Sequence, residues 1–128
     1  MSESELERVV DPYLRNETLK AAVSCYLGAG LRRAVLGVTD RRVLMVKSAY
    51  WSVRDKGLLW ADPLDQVALA KRPVELHVGF AYSGNTYVRM RRADKSELRL
   101  NPRNSFIGGA DVTRRSVEIL YSSIEGRF

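Results

Sequence analysis

The stretch that most constrains this chain is residues 34–48, AVLGVTDRRVLMVKS, where two apolar runs of strand length flank the polar turn Thr39-Asp40-Arg41-Arg42. Val, Leu and Met suit a pleated, half-buried surface, and Asp40 can bond its own backbone to close a turn without glycine. The stretch therefore reads as a β-hairpin. In its first arm Ala34, Leu36 and Val38 point one way, and Val35, Gly37 and Thr39 the other. Both faces are apolar, so the outer side needs a cover, and a helix from either terminus is the expected one.

Residues 18–28 precede the hairpin as a first strand, with Gly28-Ala29-Gly30 as the turn between them. After it, residues 50–57 are polar and charged around two large aromatics and read as an exposed loop; residues 58–61 resume a strand, with Pro63 at its end because it cannot donate to a ladder. Residues 67–70 continue after the turn at Asp65-Gln66. Residues 74–82, 86–92 and 97–101 alternate as an antiparallel meander. Keeping every apolar residue on one face sets Leu76 opposite Met90, Val78 opposite Val88, Met90 opposite Leu98 and Val88 opposite Leu100. One outer row then reads Glu75, Arg91, Glu97 and neutralises itself. The next reads His77, Arg89, Arg99, all donors, and such a row is either splayed into water or held by an anion.

Both ends read as helical. Leu6, Val9, Val10, Tyr13 and Leu14 share one helix face, and Pro12, which clashes inside a helix but suits its first turn, predicts a kinked or double N-terminal helix. Asp111 is well placed to cap a C-terminal helix reaching about Ile124, with Val112, Leu120, Ile124 and either Val117 or Tyr121 on its apolar face.

Thr39-Asp40-Arg41-Arg42-Val43-Leu44, followed by Asp62-Pro63-Leu64-Asp65-Gln66-Val67, resembles the paired signature of the bacterial pleckstrin-homology-like (PH-like) domains, relatives of GRAM domains. In that family a T-[DN]-x-R-hydrophobic hairpin precedes a P-L-x-x-[IV] strand entry. Leu14-Arg15-Asn16-Glu17 resembles, one residue shorter, the L-x-x-G-E run before the first strand, with Asn16 where glycine is usual; Asn tolerates the same positive φ. The resemblance implies a mainly β (α+β) fold, a strongly bent antiparallel barrel of about seven strands with a C-terminal helix closing one end. On that resemblance, residues 1–17 are expected to form an N-terminal helical extension and residues 18–128 the PH-like domain.

Length and composition narrow the function. A chain of 128 residues, 45% hydrophobic, holds material for one domain and one core. No apolar run approaches the ~20 residues of a membrane helix, and the acidic SESELE lacks the character of a signal peptide, so the chain reads as cytoplasmic, with peripheral association at the inner membrane surface as the alternative. The single Cys25 and single His77 cannot build a zinc set, no cofactor motif occurs, and Cys25 sits among Ala21, Val23 and Leu27 as a buried hydrophobe would. Catalysis is not expected; a Cys25/His77 pair is the one arrangement that would supply it.

Residues 1–18 hold five acids against two bases, a net of −3, so with a chain total of +6 the remainder carries +9. A basic body suits an anionic partner. The leading expectation is nevertheless protein–protein interaction or self-association, through Tyr50, Trp51 and Arg54 of the loop and the Leu6, Val9, Tyr13 face of the extension. The alternative fate for Trp51 is a plug over an open barrel end. The competing function is anion binding, at an acidic membrane surface or on nucleic acid, through Arg32, Arg33, His77, Arg89 and Arg99; the relatives' phosphoinositide-binding loop between the first two strands corresponds to Arg32 and Arg33 here.

Overall fold

A computed structural model describes residues 3–27, 31–71, 88–102 and 110–128. It is mainly β. Helix α1 (Glu3–Val10) runs into a 3-10 turn (Asp11–Tyr13) with Pro12 in its first turn, which is the double N-terminal helix that Pro12 predicts. Strands β1 (Leu19–Leu27), β2 (Arg32–Thr39), β3 (Arg42–Ser48) and β4 (Asp55–Pro63) form an antiparallel meander. A 3-10 turn (Leu64–Gln66) leads to β5 (Ala68–Leu69), β6 (Val88–Arg91) and β7 (Glu97–Pro102); helix α2 (Ala110–Ser123) and a two-residue β8 (Gly126–Arg127) follow. The strand order is β4-β3-β2-β1-β7-β6-β5-β8, and among the described residues the sheet is not closed.

The hairpin is where the sequence puts it, with Val38 opposite Val43, and both of its faces are buried as both-sided apolarity requires. Ala34, Leu36, Val38, Val43 and Met45 join Val23, Cys25 and Leu27 in a main core completed by Val117, Leu120 and Tyr121 of α2 and by Ile124 just past its end. Val35, Leu44, Val46 and Ala22 turn the other way and meet Leu6, Val9 and Val10 of α1. An eight-residue helix is marginal alone, so α1 owes its helicity to this packing. Gly37 lies beneath it: a Cβ there would come within 2.8 Å of a Val10 methyl.

Closure of the hairpin differs in detail from the expectation. Thr39, fully buried, accepts at Oγ1 from the Arg41 and Arg42 amides (3.0 and 2.9 Å), while Asp40 Oδ1 accepts from the Thr18 amide at 2.9 Å. A hydroxyl thus shapes the turn, and the aspartate ties it to the approach to β1. The same turn anchors Glu17: its carboxylate accepts from the Thr39 hydroxyl (2.8 Å) and from Arg42 Nε and Nη2, while Arg42 Nη2 also donates to the Tyr13 carbonyl at 2.8 Å. Asn16, one residue earlier, has φ 51°, the left-handed conformation inferred from its position.

In the second half, Val88 lies opposite Leu100, Arg89 opposite Arg99, Met90 opposite Leu98 and Arg91 opposite Glu97, the register set by one-sided burial. The other side of β6 corrects the expectation. Leu69 occupies the place opposite Met90 that the apolar pattern assigned to Leu76; two apolar runs of the same period competed for one partner. Leu76, Val78, Glu75 and His77 lie outside the described residues. β8, too short to have a pattern, adds in parallel to β5, and the Arg127 guanidinium caps the Tyr121 and Ile124 carbonyls at the end of α2. Buried Asp62 on β4 receives Arg92 Nε and Nη2 (3.1 and 3.2 Å), pinning β4 to the β6–β7 turn.

Two outcomes follow. Gly37→Ala loses about 1–3 kcal/mol in denaturant unfolding, because the β-branched Val10 cannot swing away, and adding Val10→Ala recovers part of the strain at the expense of packing. Arg42 holds the Glu17 carboxyl down to about 2 against the opposing effect of burial, helped by Thr39. A carboxyl depressed on folding stabilises above its ordinary 4.5 and loses that contribution as pH falls from there toward 2. A thermal-unfolding series over this window declines for the wild type, and the Glu17→Gln variant, weaker at neutral pH, loses that part of the slope.

Candidate functional site

The covered face of the sheet does not stop at α1. Beyond the helix it continues through Ser24, Tyr26, Arg33 and Ser48, paired across β1, β2 and β3. Arg33 is only 4% exposed there: its Nε donates to Ser24 Oγ at 2.8 Å, its Nη1 to the Tyr50 carbonyl at 3.2 Å, and its guanidinium carbon lies 5.4 Å from the Tyr26 ring centre. From Tyr26 a ladder of edge-on rings climbs outward, to Tyr50 at 5.4 Å and then to Trp51 at 5.0 Å. Edge-to-face contacts of this kind add to the area the rings bury. Trp51 ends the ladder 80% exposed.

The loop that carries Trp51 is closed at its base. The Ala49 amide donates to the Arg54 carbonyl at 3.4 Å, and the Arg54 amide to Ser48 Oγ at 3.3 Å. Strand β4 then starts at Asp55, earlier than the polar composition suggested, because Asp55 and Lys56 pair outward along an edge where charge is tolerated. Asp55 accepts the Tyr13 hydroxyl at 2.7 and 2.9 Å, fastening the end of the N-terminal segment to the loop, and this bond raises the Tyr13 pKa above its ordinary value. Between α1 and the loop runs an open groove of about 410 Å³, lined by Glu5, Arg8, Val9, Ser52, Val53 and Asp55.

Extending the register of β2 and β3, in which Arg33 faces Ser48, sets Leu31 beside Tyr50 at the same end of the sheet. Leu31 is 81% exposed, so this end carries two large apolar tips. Arg32, Lys47, Arg54 and Lys56 are all exposed around them, with Asp55 the acid among them. Among the described residues, Leu58 and Leu59 on β4 are the other exposed large hydrophobics. Nothing in their sequence marked Leu31, Leu58 or Leu59, since a leucine in or near a strand reads as core; what exposes them is the turn conformation of Leu31 and, among the described residues, the outer position of β4.

The expected site residues separate accordingly. Tyr50, Trp51 and Arg54 come together. Leu6 and Val9 do not join them as a contact face: they are 0% and 6% exposed, spent on covering the chain's own sheet. Tyr13 is half-buried and engaged with Asp55. Arg32 is exposed as an anion site requires, whereas Arg33 is a buried structural group, because strand alternation turns it inward. His77 lies outside the described residues. Arg89 does not stand in an unneutralised row: it reaches diagonally to Glu97 Oε1 at 2.7 Å, on a strand pair where Arg99 faces it. Cys25 is 1% exposed, and burial pushes its thiol up to about 12, which leaves it protonated and poorly nucleophilic. Among the described residues, no group of three or more His, Cys, Asp and Glu side chains is arranged to hold a metal, and no helix is long and apolar enough to cross a membrane.

No protein-family model matches this chain. No curated protein matches it in sequence.

The two adjacent arginines give a direct contrast. Arg33→Met loses the Ser24 and Tyr50 hydrogen bonds and leaves their polar atoms buried, lowering stability by about 2 kcal/mol, whereas Arg32→Met changes it by less than about 0.5 kcal/mol. Denaturant unfolding of the two variants checks this; equal effects would contradict the buried role of Arg33.

Proposed function

We propose that this chain is a non-catalytic binding module of PH-like type, which meets a protein partner through the end of the sheet that carries Trp51. The single observation behind this reading is that Trp51 is 80% exposed yet rooted, through Tyr50 and Tyr26, on the buried Arg33. An aromatic side chain held in place before contact loses little freedom on binding, and Trp and Arg are over-represented among the few residues that carry interface energy. Leu31 supplies a second apolar tip, and Tyr50 and Arg54 flank the first.

The PH-like part of the reading draws support from the antiparallel order β4-β3-β2-β1-β7-β6-β5, which is that of a bent meander whose first and seventh strands meet, and from α2 packing on the core between the two halves. The absence of catalysis is supported by Cys25, whose protonated thiol is enclosed in the core. A second reading has one observation in its favour: Arg32, Lys47, Arg54 and Lys56 surround the apolar tips, as an acidic membrane surface or a nucleic-acid backbone would require.

The test is retention of proteins from an extract of the source cells on immobilised wild type and Trp51→Ala, at low and at high salt. A protein retained at both salts by the wild type, and weakened by roughly 2 kcal/mol or about 30-fold by Trp51→Ala, supports the protein-binding reading. Binding only to anionic vesicles or to a mixed-sequence duplex, released by salt and reduced by Arg32→Glu and Arg54→Glu, replaces it with the second.

A further inference from the structure

Arg32, Lys47, Arg54 and Lys56 are exposed at the Trp51 end, and among the described residues none of their side chains is held in an ion pair. Strand phase groups three of them. Ala34 faces Lys47, so Arg32, two residues before Ala34, lies on the same face of β2 and diagonal to Lys47. On β4, Asp55 pairs with Ser48 and Leu58 with Val46, which leaves Lys56 and Gly57 opposite Lys47. Asp55 is turned to the α1 side, where its carboxylate holds Tyr13, so Lys56, the next residue, is turned to the other. Arg32, Lys47 and Lys56 therefore make one cationic row across three adjacent strands, on the face opposite Arg33 and the root of Trp51. Like charges side by side on a sheet repel, and an anion laid across the strands removes that repulsion.

The acids of this end lie on the other face. Glu5 and Asp55 line the groove beside α1, with Arg8 as the base among them. The end is thus divided, basic on one face and net acidic on the other. A flat anionic surface or a nucleic-acid backbone seated over the whole end meets both halves, whereas one extended segment laid along the row meets only the bases. Apolar tips stand next to the row. Leu31, 81% exposed, directly precedes Arg32, and Trp51, 80% exposed, lies in the connection between the strands of Lys47 and Lys56.

We infer that the protein partner meets the Trp51 end with an acidic segment, its carboxylates along Arg32, Lys47 and Lys56 and an apolar side chain against Trp51. This assignment rests on the reading of that end as a protein-binding site and adds the partner's chemistry to it. The row governs the approach and its salt dependence, and Trp51 governs how long the complex lasts.

Fluorescence anisotropy of a short labelled peptide, Asp and Glu around a central Leu and Phe, tests it against the same peptide with Asn and Gln in place of the acids. The wild type binds the acidic peptide, less as salt rises, and does not bind the neutral one. The triple variant Arg32→Glu, Lys47→Glu, Lys56→Glu loses about tenfold or more in affinity, with circular dichroism and thermal unfolding those of the wild type, and the corresponding Gln triple loses less. Equal binding of the two peptides, or no effect of the Glu triple, overturns the inference. So does binding confined to anionic vesicles or a mixed-sequence duplex, which gives the row to a membrane or to nucleic acid. Extract proteins retained on the immobilised chain separate this inference from the reading beneath it. Retention lost with Trp51→Ala but kept in the Glu triple leaves a protein-binding tip and overturns the acidic segment, whereas retention that Trp51→Ala does not alter overturns both.

Discussion

Everything in this structure depends on β1, β2 and β3 being covered on both faces. A three-stranded meander whose side chains are apolar on alternate positions in both directions cannot remain as the wall of a one-sided barrel; it is stable only between two layers. α2 and the second half of the sheet provide one layer, α1 the other. The N-terminal segment is therefore a structural layer of the fold. The clasp of Glu17, Thr39 and Arg42 fixes where that segment enters β1, and the Tyr13–Asp55 bond fixes its far side to β4.

The recognition end is a consequence of the same arrangement. α1 is eight residues long and covers only part of its face. Where it stops, the face has to be finished with side chains, and Arg33, Tyr26 and Tyr50 finish it. A buried guanidinium is tolerated there because a hydroxyl and a backbone carbonyl take its donors. The last ring of that arrangement, Trp51, extends past the edge of the layer. Its exposure is thus built into the end of the sheet and needs no loop excursion.

Much of this was legible in the residues. Two-sided apolarity in residues 34–48 called for a helical cover, Pro12 for a broken helix, Asn16 for a positive φ, and the alternation of Val88, Met90, Leu98 and Leu100 for a register found unchanged. What the sequence hid has physical reasons. Periodicity says which residues share a face but not which of two equal runs pairs with β6, so Leu69 was missed in favour of Leu76. Adjacent arginines look alike, and only the phase of β2 separates exposed Arg32 from buried Arg33. An apolar helix face is the same pattern whether it meets its own sheet or a partner, which is why Leu6 and Val9 read as a contact surface. Charges drawn as a row across strands can also choose diagonal partners, as Arg89 does with Glu97.

The measurement that bears most directly on this account is native-state hydrogen exchange of the α1 amides compared with those of β2 and β3. If α1 is one of the two layers, the hydrogen-bonded amides of Glu7 to Val10 exchange with an opening free energy close to that of Val35 and Leu44, because none of them can be released without uncovering the shared face. α1 amides that exchange through low-energy local opening, while β2 and β3 stay fully protected, would contradict it and return the N-terminal helix to the status of an appendage.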